Sequence, residues 1–226
     1  MFQGFTDRTF EFFMAIRFNN NRQFFHDSHD WYEEAVRTPL RELAADLAPA
    51  IELMDPDLET RPEKVVSRIN RDIRFSNDKS PYRDYMWLAF RQPGLDRKIT
   101  LGAYFDISAQ GGSYGFGIYN EHRPYMNGLR QRLATDEAGF LEVWTPLKDR
   151  FTLCGNRFKR LPVPEGMNEE AAQWYTLKGF YVEKPLPDFD LLMSPRLADE
   201  IRTGFGELTP LYRYLKEIPE IDSLQV

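Results

Sequence analysis

The sequence predicts an α+β fold: a central, mainly antiparallel sheet packed by N-terminal and C-terminal helices. Three observations predict it. Apolar residues recur at three- and four-residue spacings in the first quarter of the chain and again near its end. From Val65 to Tyr119 the texture changes to β-branched and aromatic residues with alternation. The regular βαβ alternation that builds a parallel sheet is not seen.

Taken in order, the first helix spans about Thr6 to Arg17, opening at a Thr-Asp pair able to cap free amides and carrying Phe10, Phe13, Met14 and Arg17 at helical spacing. Asn19, Asn20 and Asn21 interrupt it, because Asn competes for backbone hydrogen bonds, and a second helical stretch follows through Phe24, Phe25 and Tyr32. In the third, Thr38 is expected to cap and Pro39 to take the first helical position. Leu40, Leu43, Ala44, Leu47, Ala48 and Ile51 form one apolar stripe that ends at Asp55, Pro56 and Asp57.

Within the sheet region, Leu101, Ala103, Phe105 and Ile107 face one way, and after a turn at Ser108–Gly112 so do Tyr114, Phe116 and Ile118, which predicts a hairpin. On the opposite face Gly102, Gly115 and Gly117 leave space for a ligand or another backbone, or mark a bulge or tight bend. Helices are expected from Arg123 through Leu133 and from Asp136 to Lys148, then a strand around Phe151 to Leu161. The C-terminal helix is capped by Ser194, starts at Pro195 and runs through Leu197, Ile201, Phe205, Leu208, Tyr212 and Leu215, with a kink expected at Pro210. No repeat, low-complexity tract or long Gly/Ser linker marks a boundary, so residues 1–226 read as one domain.

Composition narrows the function classes. With 42% hydrophobic and 15% aromatic residues the chain can bury a substantial core. No apolar run approaches the roughly 20 residues that cross a bilayer, and the first residues lack a signal-peptide pattern, so a soluble cytoplasmic protein without membrane partners is expected. A lone Cys154 can make neither an internal disulfide nor a cysteine-based zinc site. The 29 Lys and Arg against 35 Asp and Glu give −6, which argues against nucleic acid as a partner. Yet Arg61, Lys64, Arg68, Arg71, Arg74, Lys79 and Arg83 outnumber Glu63, Asp72 and Asp78, making a local island of 7 − 3 = +4 suited to a small anionic ligand.

The segment Arg68 to Tyr82 concentrates the chemistry. As a strand ending near Arg74 it would place Arg68, Asn70, Asp72 and Arg74 on one face, with the carboxylate between two guanidiniums, and Arg71 among Ile69, Ile73 and Phe75, where it needs a partner. As a helix the arginines would form a solvated basic face; β-branched Val65, Val66, Ile69 and Ile73 favour the strand. Guanidiniums present paired donors that match carboxylate and phosphate oxygens. Arg68, Arg71, Asp72, Arg74, Ser76, Lys79 and Tyr82 are therefore the candidate ligand-binding residues for a phosphorylated or carboxylated metabolite. The alternative is a non-catalytic interaction or structural protein in which the same cluster is an ion-pair clasp between the N-terminal helices and the sheet. Arginines titrate poorly, Ser76 has no adjacent histidine to activate it, and no catalytic residue is assigned.

The string R-x-x-R-D-x-R-F-S-x-D-K-x-P-Y from Arg68 to Tyr82 closely resembles the signature of the domain of unknown function 2461 family. Asn20-Asn21-Arg22-Gln23-Phe24-Phe25, Tyr32, Pro39-Leu40 and the glycine-rich Gly111–Gly117 resemble that family's pattern too, so the likeness covers nearly the whole chain. Phe24 departs from it, standing where the family is expected to have Trp. The resemblance implies kinship and carries over no activity.

Other candidates are weaker. His26 and Asp30, at i and i+4, would share a helix face able to grip a metal, but without an H-E-x-x-H arrangement no metal is assigned. His122 is expected at a strand-to-helix junction, lining the surface of the cationic island or, more simply, exposed to solvent. Gly111–Gly117 is neither a Walker loop nor G-x-G-x-x-G, and no cofactor is expected.

Overall fold

A computed structural model describes residues 1–74, 77–96, 99–118 and 120–222. The chain begins with α1 (Asp7–Phe18), α2 (Arg22–Asp27) and α3 (His29–Tyr32), then continues through a π-helical turn at Glu33–Arg37 into α4 (Thr38–Met54). After α5 (Pro62–Val65) come β1 (Tyr85–Arg91), β2 (Leu101–Ser108) and β3 (Gly111–Ile118). Then follow α6 (Arg123–Thr135), α7 (Glu137–Trp144), β4 (Thr152–Cys154), α8 (Glu169–Tyr175), β5 (Tyr181–Leu186), α9 (Phe189–Leu192) and α10 (Arg196–Lys216). The strands form one sheet in the order β1-β2-β3-β5-β4, every neighbouring pair antiparallel, so the expected α+β class holds.

Thr38 does not cap α4. The helix enters it without a break, Thr38 having helical angles and its amide reaching back to the Glu33 carbonyl. The reason lies at Pro39, which has no amide to offer the carbonyl four residues back. That orphan, the Ala35 oxygen, accepts instead the buried Thr9 hydroxyl of α1 at 2.6 Å. The local kink signal is thus converted into a contact between helices.

The hairpin forms as expected, with Leu101 opposite Ile118 and Ser108 opposite Gly111. Its turn is tighter than Ser108–Gly112, because Gly111 adopts φ +125° and closes the ladder at once. The short helices α5, α8 and α9 carry no sequence expectation, nor does β5, which inserts between β3 and β4. The strand expected around Phe151 to Leu161 shrinks to Thr152–Cys154. The C-terminal helix runs unbroken through Pro210, from Arg196 to Lys216.

The alternating apolar positions of the sheet carry the core. Phe205 of α10 meets Phe90 and Tyr114 edge-on, and Tyr212 meets Phe116 at 5.5 Å. Phe5 stacks over Phe105, and α4 lies against both α10 and β1. The helices therefore share one face of the sheet and leave the other positions, Trp87, Tyr104, Asp106, Ser113, Tyr181 and Glu183, partly or fully exposed. Antiparallel sheets tolerate such one-sided covering.

Candidate functional site

After α5 the chain runs extended beside the segment that leads into β1. Val66 bridges Leu88 and Asn70 bridges Tyr82, both antiparallel. The Ser67 amide donates to the Trp87 carbonyl, the Arg83 amide to Ile69, and the Arg71 amide to Pro81, each at 2.9 Å. The expected extended conformation is present, but it is a pair of bridged segments that stops at Arg71 rather than a strand to Arg74.

The loop beyond Arg71 is held by its own side chains. Asp72 takes the Arg74 guanidinium in a two-pronged pair at 2.7 and 2.9 Å, and those hydrogen bonds bring its carboxyl down to about 2. Lys79 Nζ donates to the Ile73 carbonyl at 2.9 Å. Asp78 accepts the Ser80 amide and hydroxyl, which lower its carboxyl, and pairs with Arg71 Nη1 at 3.0 Å. Arg71 also lies within 4.0 Å of Asp84, while its Nε is buried without a partner among the described residues. The partner that Arg71 needed is therefore Asp78, with Asp84 behind it.

The expected sandwich of Asp72 between Arg68 and Arg74 does not form. Arg68 is exposed, and its side chain makes no hydrogen bond or ion pair among the described residues; its carbonyl accepts from Arg83 at 2.8 Å. Loss of strand alternation after Arg71 separates the two arginines. Ser76 lies outside the described residues. Tyr82 is buried, its ring stacked on Phe25 of α2 at 4.3 Å.

Residues outside the candidate set complete the arrangement. The Asn20 side chain clamps the Tyr82 backbone from both sides, Nδ2 donating to the carbonyl at 2.9 Å and Oδ1 accepting the amide at 3.0 Å. Asn21 accepts the Phe24 amide and so caps α2. The consecutive asparagines thus join the α1–α2 corner to the motif loop. Their place beside Phe25 in the motif string was the available signal. The Arg83 guanidinium donates to the Arg68 and Asn70 carbonyls and lies 4.8 Å over Trp87.

The metal-type histidines separate. Ser28 breaks the helix between His26 and Asp30, and no three His, Cys, Asp or Glu side chains converge among the described residues. His122 is not exposed as expected: its side chain is mostly buried, 3.7 Å from Glu220 of the C-terminal tail that crosses α6.

A second polar cluster occupies the uncovered sheet face. Ser113 Oγ donates to Asp106 at 2.8 Å, Tyr104 Oη to Glu183 at 3.1 Å, and Cys154 Sγ to Glu183 at 3.5 Å. The glycines beneath serve backbone approach: a Cβ on Gly115 would strike the Val182 carbonyl, and one on Gly117 the Phe180 carbonyl. Burial pushes the Asp106 carboxyl up to about 6; the Ser113 hydroxyl opposes this and the charge of Glu183 adds to it. The folded protein therefore holds this proton more tightly than the unfolded chain, whose carboxyl titrates near 3.9, so stability falls as pH rises from about 4 to about 6. Asp106→Asn is expected to raise the thermal midpoint at pH 7.5 by roughly 4–8 °C, corresponding to about 2 kcal/mol, and to leave it unchanged near pH 4. An equal offset at both pH values would sink this account.

Against known proteins, the chain has no match among curated sequences. A family described as conserved hypothetical protein (DUF2461) matches residues 8–214. That span includes Asn20, Phe25, the whole Arg68–Tyr82 motif and both rows of the hairpin, and the chain belongs to the DUF2461 family.

Proposed function

We propose that this is a non-catalytic, cytoplasmic interaction protein in which the Arg68–Tyr82 motif is a structural clasp. The observation that carries the reading is the Asn20 clamp on Tyr82, with Tyr82 stacked on Phe25: it ties the N-terminal helices to the segment entering the sheet. The charges around it are spent internally, Arg71 on Asp78, Arg74 on Asp72, and Arg83 on two carbonyls. Such groups order a loop more than they attract a ligand. A lone thiol suits the reducing cytoplasm.

The test is the thermal midpoint of Arg71→Ala, scanned with wild type against phosphorylated and carboxylated metabolites. The clasp loses about 2 kcal/mol, a drop of roughly 4–8 °C, and no metabolite shifts wild type. A variant that melts like wild type and abolishes a metabolite-induced upshift would instead establish anion capture. That second reading draws support from Arg68, whose exposed guanidinium has no partner among the described residues.

A further inference from the structure

We propose that the uncovered face of the sheet docks a basic protein segment whose lysine and arginine side chains meet Asp106 and Glu183. The inference rests on the interaction reading above and names the chemistry of the partner.

The face is left free by the packing. Phe205 and Tyr212 of α10 take the alternate positions Phe90, Tyr114 and Phe116, while the intervening side chains stay accessible to solvent. A wet face is ordinary for an antiparallel sheet, but this one carries uncompensated charge. Asp106 and Glu183 are part-buried, and their hydrogen-bond partners are the neutral Ser113, Tyr104 and Cys154. Neither makes an ion pair among the described residues. Three buried or part-buried acids of the helical side are paired instead: Asp55 with Lys216, Glu200 with Lys184 and Glu207 with Arg150. Of the cations around the face, Arg83 turns toward the Arg68 and Asn70 carbonyls and Arg157 toward the Gln173 carbonyl, while Arg91 lies at the far end of β1, opposite Gly102.

Charge complementarity therefore selects a cationic occupant. The aromatic residues around the carboxylates suit the apolar stems and charged heads of Lys and Arg. Tyr85 stacks on Trp87 at 5.6 Å, Tyr181 is exposed beside Cys154, and Trp87 already carries one guanidinium, that of Arg83. The net charge of −6 adds long-range attraction for a basic segment. A row of strand side chains, alternating acid, hydroxyl and ring, offers an extended polypeptide contacts along its length, whereas a small amine would need an enclosing pocket.

The experiment titrates full-length protein with fluorescent oligolysine and oligoarginine peptides, using oligoglutamate as the charge control. Wild type is expected to bind the basic peptides. The double variant Asp106→Asn, Glu183→Gln should bind at least about tenfold more weakly, as should Trp87→Ala. A control pair that removes the same charge from the helical side, Glu11→Gln with Asp190→Asn, should stay within about twofold. Equal weakening in both pairs, or no binding by wild type, overturns the proposal. Amide exchange with peptide bound should slow in β2, β3 and β5; protection confined to the helices overturns it equally. Inorganic phosphate in the same titration separates the two readings. If phosphate raises the midpoint through Arg68 while peptide protection stays on the sheet, the clasp reading fails and the docking face stands.

Discussion

Arg130→Met is expected to lower the thermal midpoint by roughly 6–20 °C, about 3–5 kcal/mol. Arg130 is 3% exposed and has no carboxylate partner among the described residues. Its guanidinium instead donates to the Tyr175 carbonyl at 2.9 Å, to the Leu177 carbonyl and to Asn127 Oδ1 at 3.1 Å, with its carbon 5.3 Å over the Phe158 ring. Those carbonyls close the C-terminal end of α8, where unpaired oxygens and the helix dipole favour a cation. Burial pulls the guanidinium below its ordinary value, yet it stays charged because that value is so high. Methionine fills most of the volume and supplies no donor, leaving several buried acceptors unsatisfied at about 1–3 kcal/mol each. Arg130→Lys should recover only part of the loss, since one ammonium cannot reach a fork of acceptors. Calorimetric midpoints of the two variants check this, and a Met variant within 2 °C of wild type would contradict it.

Asp55→Ala is expected to cost about 3 kcal/mol at neutral pH, a fall of roughly 6–12 °C. Asp55 is 2% exposed at the end of α4 and accepts from Tyr212 Oη at 2.8 Å, Lys216 Nζ at 2.7 Å and the Asp57 amide at 3.0 Å. The carboxylate thereby locks the end of α4 to the last turns of α10. Its removal strands a buried phenol, while Lys216 keeps Asp57 at 3.0 Å and reaches water, which holds the loss near the lower end for a broken buried pair. Burial alone would raise the Asp55 carboxyl; the bonds from Lys216, Asp57 and Tyr212 outweigh it and hold the group below its ordinary value. Its folded value being the lower one, its stabilisation is present above about pH 4 and disappears as pH falls through the folded value. The deficit of Asp55→Ala should therefore shrink in acid, opposite in sense to Asp106→Asn, whose gain shrinks there. A double-mutant cycle with Tyr212→Phe should show coupling, and strict additivity would mean that the two side chains do not act together.

Strong periodicity was legible. The stripe from Leu40 to Ile51, the α10 pattern from Leu197 to Leu215 and the two rows of the hairpin all turn up as buried faces. Short elements were not. Thr152–Cys154 and Tyr181–Leu186 are too brief to carry a decisive period, and Lys184 and Glu183 blur the alternation of β5. The motif was legible as a concentration of charge but not as a set of pairs. Asp78 and Asp84 follow Arg71 in the same stretch of chain, yet which carboxylate meets which guanidinium depends on where the extended run stops.

By itself the sequence determined the class of fold, the main helices, the two apolar rows of the hairpin and family membership, because these depend on local spacing and on strings of residues read in order. Only the tertiary structure decided what the charged groups do. It brought Asn20 to Tyr82 across 62 positions, Asp55 to Tyr212 across 157, and Tyr104 to Glu183 across 79. A hydrogen bond or an ion pair requires its atoms within a few ångströms, and spacing along the chain carries no such information once the contact is made between elements.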